Sequence, residues 1–266
     1  MLLWARWAKM LTWGGTALLF CAVYGLPVAM IVLASVSGQW NGILPSHLTF
    51  LHYANVLHTD SAGQLQVSVM TGVVASVAAL VSGTWAALGL RRMEKLPRRI
   101  LDMIFFVPSA VPSVSIGLGL LVAFSKPPVL LNGTATIVFF AHFLLISAFT
   151  YGNVSAGLAR IAPEYGEVAQ SLGARPFYTL TRVTLPLVAP FLIASFSLSF
   201  ALSMGELGAT LMIYPPGWVT LPVGIFALSD RGAIFDASAL TVILGVVTLV
   251  VLMGLSSIST RSAVRR

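Results

Sequence analysis

Residues 162–186 read Ala162-Pro163-Glu164-Tyr165-Gly166-Glu167-Val168-Ala169-Gln170-Ser171-Leu172-Gly173-Ala174-Arg175-Pro176, followed by Phe177-Tyr178-Thr179-Leu180-Thr181-Arg182-Val183-Thr184-Leu185-Pro186. Pro163 suits the first position of a helix, and Glu164 and Glu167 in the opening turn complement the helix dipole. Tyr165, Val168, Ala169 and Leu172 fall at i, i+3, i+4 and i+7 and form an apolar stripe. Glu164, Glu167, Gln170 and Ser171 lie on the other face. Gly173 is a natural helix stop, and Pro176 can open a second short helix. The stretch therefore predicts a small amphipathic helix-turn-helix. By amphipathicity alone it fits a helix lying on lipid headgroups as well as one that docks to another protein.

On both sides of this stretch the chain turns strongly apolar. A hydrocarbon layer of about 30 Å takes roughly 20 apolar residues in a helix. Six segments qualify: 12–37, 65–90, 101–124, 135–157, 186–212 and 236–258. The first follows Arg6 and Lys9, but its apolar run is too long for the core of a secretory signal, so it is read as a retained span. The composition agrees: 58% of the 266 residues are hydrophobic and 9% are charged. Soluble proteins average about 25% charged, so a chain this poor in charge has too few to cover a water-facing surface. Cys21 is the sole cysteine, which excludes an intrachain disulfide or a thiolate metal cluster.

The basic residues set the orientation. With the N-terminus placed in the cytoplasm, Arg6, Lys9, Arg91, Arg92, Lys95, Arg98, Arg99, Arg160, Arg175, Arg182, Arg261, Arg265 and Arg266 all fall inside, and only Lys126 and Arg231 fall outside. This asymmetry predicts an even number of spans, both termini cytoplasmic, and the 162–186 loop on the cytoplasmic side. Trp4, Trp7 and Trp13 then fall near the inner interface, and Trp40 and Trp218 near the outer one. The outer connections are residues 38–64, with His47, His52, His58 and Asp60, and residues 213–235, opening on the turn sequence Tyr214-Pro215-Pro216-Gly217-Trp218. The histidine spacings do not share one helical face, so these are read as interfacial polar residues and no metal site is assigned.

Catalytic signatures are absent. No Gly-x-x-x-x-Gly-Lys-Ser/Thr occurs, and none of the three lysines (Lys9, Lys95, Lys126) precedes Ser or Thr, so this sequence has no loop to cradle ATP phosphates. No His-Glu-x-x-His or Gly-x-Ser-x-Gly is present either.

Glu167-Val168-Ala169, then Gly173 six residues after the glutamate, then Val183-Thr184-Leu185-Pro186, resembles the EAA loop of ABC-importer permeases. That family pattern is Glu-Ala-Ala, three residues, Gly, nine residues, Ile, one residue, Leu-Pro. Val168 and Val183 are the departures from it. The resemblance implies an all-α integral membrane protein of the type I ABC importer permease fold, with six transmembrane helices in the bacterial inner membrane. It further implies that the loop docks to a separate ATP-binding subunit, present in two copies, with Glu164, Glu167, Ala169, Gly173, Leu185 and Pro186 as the coupling residues. A second permease subunit and a periplasmic solute-binding protein complete the implied assembly. ATP and Mg²⁺ would belong to the ATPase, with no cofactor on this chain. No nucleic-acid partner is implied. The partition implied is an N-terminal part, 1–64, a transmembrane core, 65–258, and a cytoplasmic tail, 259–266.

Three longer runs narrow the resemblance. They are Gln39-Trp40-Asn41-Gly42-Ile43-Leu44-Pro45-Ser46, the segment from Val107 to Gly119, and Ser203-Met204-Gly205-Glu206-Leu207-Gly208-Ala209-Thr210. They are similar to the membrane subunits of 2-aminoethylphosphonate importers, which implies that substrate. The Gly-Glu-Leu-Gly-Ala-Thr run also resembles permeases for other oxyanions, thiamine and iron.

An ionisable residue inside a span is a functional candidate. Glu206 is the clear case, flanked by Gly205 and Gly208, which permit close backbone approach or local helix opening. Two roles are open to it: contact with the ammonium of a zwitterionic substrate, or hydrogen bonding that holds a helix break or subunit contact. Pro108 and Pro112 favour a kink or unwound turn in the third span, where Ser109, Ser113 and Ser115 could line a hydrated path. His142 and Asn153 are the other polar candidates, and Asp102 is expected to pair with the basic cluster beside it. A rival of another class is an ion-coupled secondary transporter using Glu206 and His142 as a proton relay. Internal symmetry, which usually marks that class, is not evident.

Overall fold

The computed structural model describes residues 6–42, 44–58, 60–91, 93–162 and 164–264, with side chains described to residue 257. Trp4, Arg92, Pro163, Arg265 and Arg266, which entered the orientation and capping expectations, lie outside the described residues, as does Ile43 of the first long run. The chain is mostly helical. Five helices are long and apolar enough to cross a membrane: α1 (Arg6–Ser35), α3 (Ser61–Leu90), α6 (Ala135–Ala159), α8 (Pro176–Met204) and α11, whose apolar part is Ile234–Ser257. A sixth crossing is available if the bent pair α4 (Lys95–Ala110) and α5 (Ser113–Ala123) is one span. Short helices α2 (Leu51–His58), α7 (Glu164–Ser171), α9 (Gly208–Ile213) and α10 (Leu221–Asp230) complete the order, and α11 runs on as Ile234–Val264.

Two compact units divide the chain. One comprises Met1–Ala62 and Gly224–Gly245. In it α1 is almost wholly exposed, with Trp7, Trp13, Leu18 and Phe20 among its outward side chains. After α1 the strands β1 (Ser37–Gln39) and β2 (Ser46–Leu48) pair antiparallel, with Ser37 opposite Leu48 and Gln39 opposite Ser46. The 38–64 connection, expected as a loop, therefore holds a short hairpin and the helix α2. Its histidines do not gather: His52 bonds to Asp236 at 2.7 Å and to the Ser37 carbonyl at 3.0 Å. Among the described residues no three His, Cys, Asp or Glu side chains form a metal-sized cluster.

The other unit comprises Gly63–Val223 and Val246–Arg266. Helix α6 is its centre, with Ile137, Val138, Ala141, Tyr151 and Val154 all buried. It packs on α8, α4, α5 and α9. Small residues make this possible: a Cβ on Gly157 would stand 2.5 Å from the Phe191 ring of α8, and one on Gly152 would stand 3.1 Å from the Phe106 ring of α4. Asp102 takes up Tyr151 and Arg98. The sequence had paired it only with its basic neighbours.

Three expected boundaries need correction. Segment 101–124 is not one continuous helix: α4 and α5 meet at 101°. Pro108 is carried inside α4, and the break comes at Val111-Pro112, both extended in backbone. Pro112 has no N–H to continue the ladder, and it forces its predecessor out of the helical region. Its carbonyl instead starts α5 by accepting from Ser115 and Ile116. Segment 186–212 is likewise interrupted: α8 begins earlier, at Pro176, and stops at Met204, and α9 begins only at Gly208. Segment 213–235 is not wholly loop, because it carries α10. That helix was missed because ten residues are too few for a span and its flanks are rich in turn formers.

Candidate functional site

Two regions hold the residues singled out by the sequence. The first is built on α7. Its C-terminus closes by the pattern expected when glycine follows a helix: Gly173 takes a positive φ of 86°, its N–H donates to the Gln170 carbonyl, and the Ala174 N–H donates to the Ala169 carbonyl. This geometry satisfies carbonyls that would otherwise be left bare at the helix end. Pro176 then opens α8, which contains a wide turn at Leu180–Thr184 before Leu185 and Pro186.

Glu164 and Glu167 sit in the first turn of α7 and are exposed. Of the predicted apolar stripe, Tyr165, Val168 and Leu172 are exposed, Leu172 by 84%, while Ala169 is half-buried. A cavity of about 480 Å³ lies beside the helix. Tyr165, Gly166, Glu167 and Gln170 line it from α7, and Val183, Thr184 and Leu187 from α8. Arg91 also lines it, and its guanidinium donates to the Ile161 carbonyl at 3.0 Å, tying the end of α3 to the root of the loop. Arg91 was read from the sequence only as an orientation signal. Nothing local to it announces a contact seventy residues away.

The second region lies where the two interruptions meet. A cavity of about 170 Å³ is lined by Pro108, Ser109 and Ser113 from the α4–α5 break, and by Ser203 and Glu206 from the α8–α9 break. His142 of α6 also lines it, with Ile146, Phe149 and other apolar side chains. Residues nearly a hundred positions apart in sequence thus share one small pocket of mixed polar and apolar lining. Pro112, Gly205 and Gly208 form the breaks but do not line the pocket, and neither do Ser115 and Asn153.

Hydrogen bonds hold the polar groups at the break. The Glu206 carboxylate accepts from the Ala209 N–H at 2.7 Å. His142 is fully buried, with Nδ1 2.6 Å from the Ser203 hydroxyl and Nε2 2.8 Å from the Thr210 hydroxyl. It therefore spans the α8–α9 break from one side to the other. Gly208 favours the fit, since a Cβ there would displace the Ser113 hydroxyl and lie 3.0 Å from the Val114 side chain. Ser203 and Thr210 were quoted in the sequence only as parts of a run. As small hydroxyls in an apolar helix they carry no signal of their own.

Several apolar helices of spanning length, with two interruptions that meet at one small pocket, define a protein that crosses a membrane repeatedly. Residues 79–266 match the family of binding-protein-dependent transport system inner membrane components, and the chain belongs to that family. A Salmonella paratyphi A protein provisionally named 2-aminoethylphosphonate transport system permease protein PhnV is 51% identical over 261 residues, 98% of each chain. The spermidine/putrescine transport system permease protein PotC of Escherichia coli K12 is 26% identical over 241 residues, 90% of each chain. Among solved structures, a bacterial ABC transporter involved in the import of the acidic polysaccharide alginate has a chain that superposes with a TM-score of 0.78 over 96% of both chains, at 18% identity. The chain is an ABC importer permease subunit and an inner membrane component.

Proposed function

We propose that this subunit forms one half of the pore of an ATP-driven importer that carries 2-aminoethylphosphonate inward. It crosses the inner membrane six times, the bent pair α4–α5 counting as one crossing, with both termini in the cytoplasm. The reading divides it into an N-terminal part (1–64), a transport core (65–258) and a cytoplasmic tail (259–266). A periplasmic binding protein selects the solute, and a second permease completes the pore. Two copies of a separate ATPase bind ATP and Mg²⁺, and this chain binds no cofactor and catalyses nothing.

The single observation that carries the coupling role is the exposure of α7. A helix capped at its C-terminus by Gly173 presents Glu167, Val168 and Leu172 outward and stands against the wide turn within α8. Apolar side chains left outward on a short, well-capped helix favour a protein partner. In this reading Glu164 and Glu167 meet the ATPase by polar contact, Ala169 and Gly173 admit close approach, and Leu185 and Pro186 carry the docked loop's motion into the regular part of α8 beyond the wide turn. Motion of the loop then reaches the α8–α9 break, where Glu206, Gly205 and Gly208 with Pro108, Ser109, Pro112 and Ser113 form the path or its gate. The substrate rests on the end-to-end likeness to the Salmonella protein.

Deletion of the gene tests the reading in the living cell. A strain without it should lose growth on 2-aminoethylphosphonate as sole phosphorus source and keep growth on inorganic phosphate. Unchanged growth on the aminophosphonate, in a strain with no second route for it, would contradict the substrate.

A further inference from the structure

The α8–α9 interruption lies in a chain whose solvent is lipid, where an unpaired backbone group is costly unless something satisfies it. The α4–α5 break meets this demand from its own backbone, because the Pro112 carbonyl accepts from Ser115 and Ile116. At α8–α9 side chains take part. The Glu206 carboxylate takes the Ala209 N–H at 2.7 Å, and His142 joins Ser203 on the near side of the gap to Thr210 on the far side, at 2.6 and 2.8 Å.

We infer that Glu206 and His142 are positioning residues that together latch the broken helix, and that Glu206 does not recognise substrate through its charge. The argument is geometric. Acceptor capacity at Glu206 is directed to the start of α9, and both nitrogens of His142 are engaged by hydroxyls on the two sides of one gap. Gly208 and Gly117 bring α9 against α5 at backbone contact, so the register of α9 sets the shape of the pocket lined by Ser109 and Ser113. A latch needs an acceptor at position 206, and an amide oxygen supplies one. Recognition of an ammonium needs the negative charge. This inference rests on the reading of the pocket as part of the transport path.

The test uses the complete transporter in proteoliposomes, with Glu206→Gln, Glu206→Ala, Thr210→Val and the double variant Glu206→Ala/Thr210→Val. We expect Glu206→Gln to keep the wild-type KM and lose less than about threefold in maximal rate, and Glu206→Ala to lose about tenfold at unchanged KM, as removal of a buried acceptor predicts. The double variant should fall well short of the product of the two single losses, since both act on one element. A KM raised equally by Glu206→Gln and Glu206→Ala would overturn the latch and assign charge recognition.

A second readout does not depend on the solute. In a Cys21→Ser background, Ser109→Cys should react with a maleimide at the same rate with Glu or Gln at position 206, and at a rate changed at least about threefold with Ala, because the start of α9 is then released. Equal rates in all three would overturn the latch. If the wild-type complex moves no 2-aminoethylphosphonate, the substrate reading fails while the labelling rates still decide the latch.

Discussion

Gly117 of α5 lies against the backbone of Ala209 in α9: a methyl group on it would stand 2.7 Å from the Ala209 carbonyl oxygen and 2.8 Å from its Cα. Neither neighbour is the flexible end of a side chain, so the helices themselves must separate. Gly117→Ala should therefore destabilise the purified protein by about 1–3 kcal/mol, the usual cost of overpacking. Gly119→Ala, on the same helix with nothing within 4 Å of its Cβ, should be close to neutral. Melting temperatures in detergent check the pair.

The end of α7 depends on the conformation of Gly173 and not on space around it. Among the described residues nothing lies within 4 Å of a Cβ built there, but φ is +86°. Side chains other than Asn pay roughly 1–2 kcal/mol in the left-handed region. Gly173→Asn should therefore be milder than Gly173→Ala, and Gly173→Val the most severe. Amide hydrogen exchange over residues 164–174 should quicken in that order.

Much of this architecture was legible before any coordinates, and the reason differs from element to element. The span α3 shows because lipid demands some twenty apolar residues in a row, and α7 shows because its stripe, its acidic first turn and Gly173 agree locally. The exact stop at Met204 does not show in hydropathy, which runs on through Gly205 and Leu207, although Glu206 and its flanking Gly205 and Gly208 mark a place where the helix can open. Pro108 and Pro112 announced a break but not which of them makes it, since α4 absorbs Pro108. That Glu206 and Ser113 share a pocket is a matter of non-local packing, to which periodicity and spacing are blind.

Tyr151 donates to Asp102 and stacks on Phe105 with ring centroids 4.6 Å apart. Tyr151→Phe keeps the stack and removes the donor from a carboxylate whose other partner, Arg98, is 3.8 Å away. A loss of about 1–3 kcal/mol is expected, as for a hydrogen bond to a charged group. Asp102→Asn, which still offers an acceptor, should lose less in the same thermal assay.

His52 faces an acceptor at each ring nitrogen, the Asp236 carboxylate at 2.7 Å and the Ser37 carbonyl at 3.0 Å. The ring thereby ties α2 both to the start of α11 and to β1. His52→Ala and Asp236→Ala should each lower the melting temperature. The double variant should be less destabilised than the sum, with a coupling of about 1 kcal/mol for this partly exposed pair.

The most direct measurement of the central claim is ATP-dependent uptake of radiolabelled 2-aminoethylphosphonate into proteoliposomes that hold the whole transporter, with the wild-type chain beside Glu167→Lys. The account predicts uptake that requires ATP, the binding protein and this subunit. It predicts that Glu167→Lys abolishes uptake while the variant still inserts in the membrane and loses its hold on the ATPase. ATP-dependent uptake at the wild-type rate by Glu167→Lys, or uptake driven by an ion gradient without ATP, would contradict it.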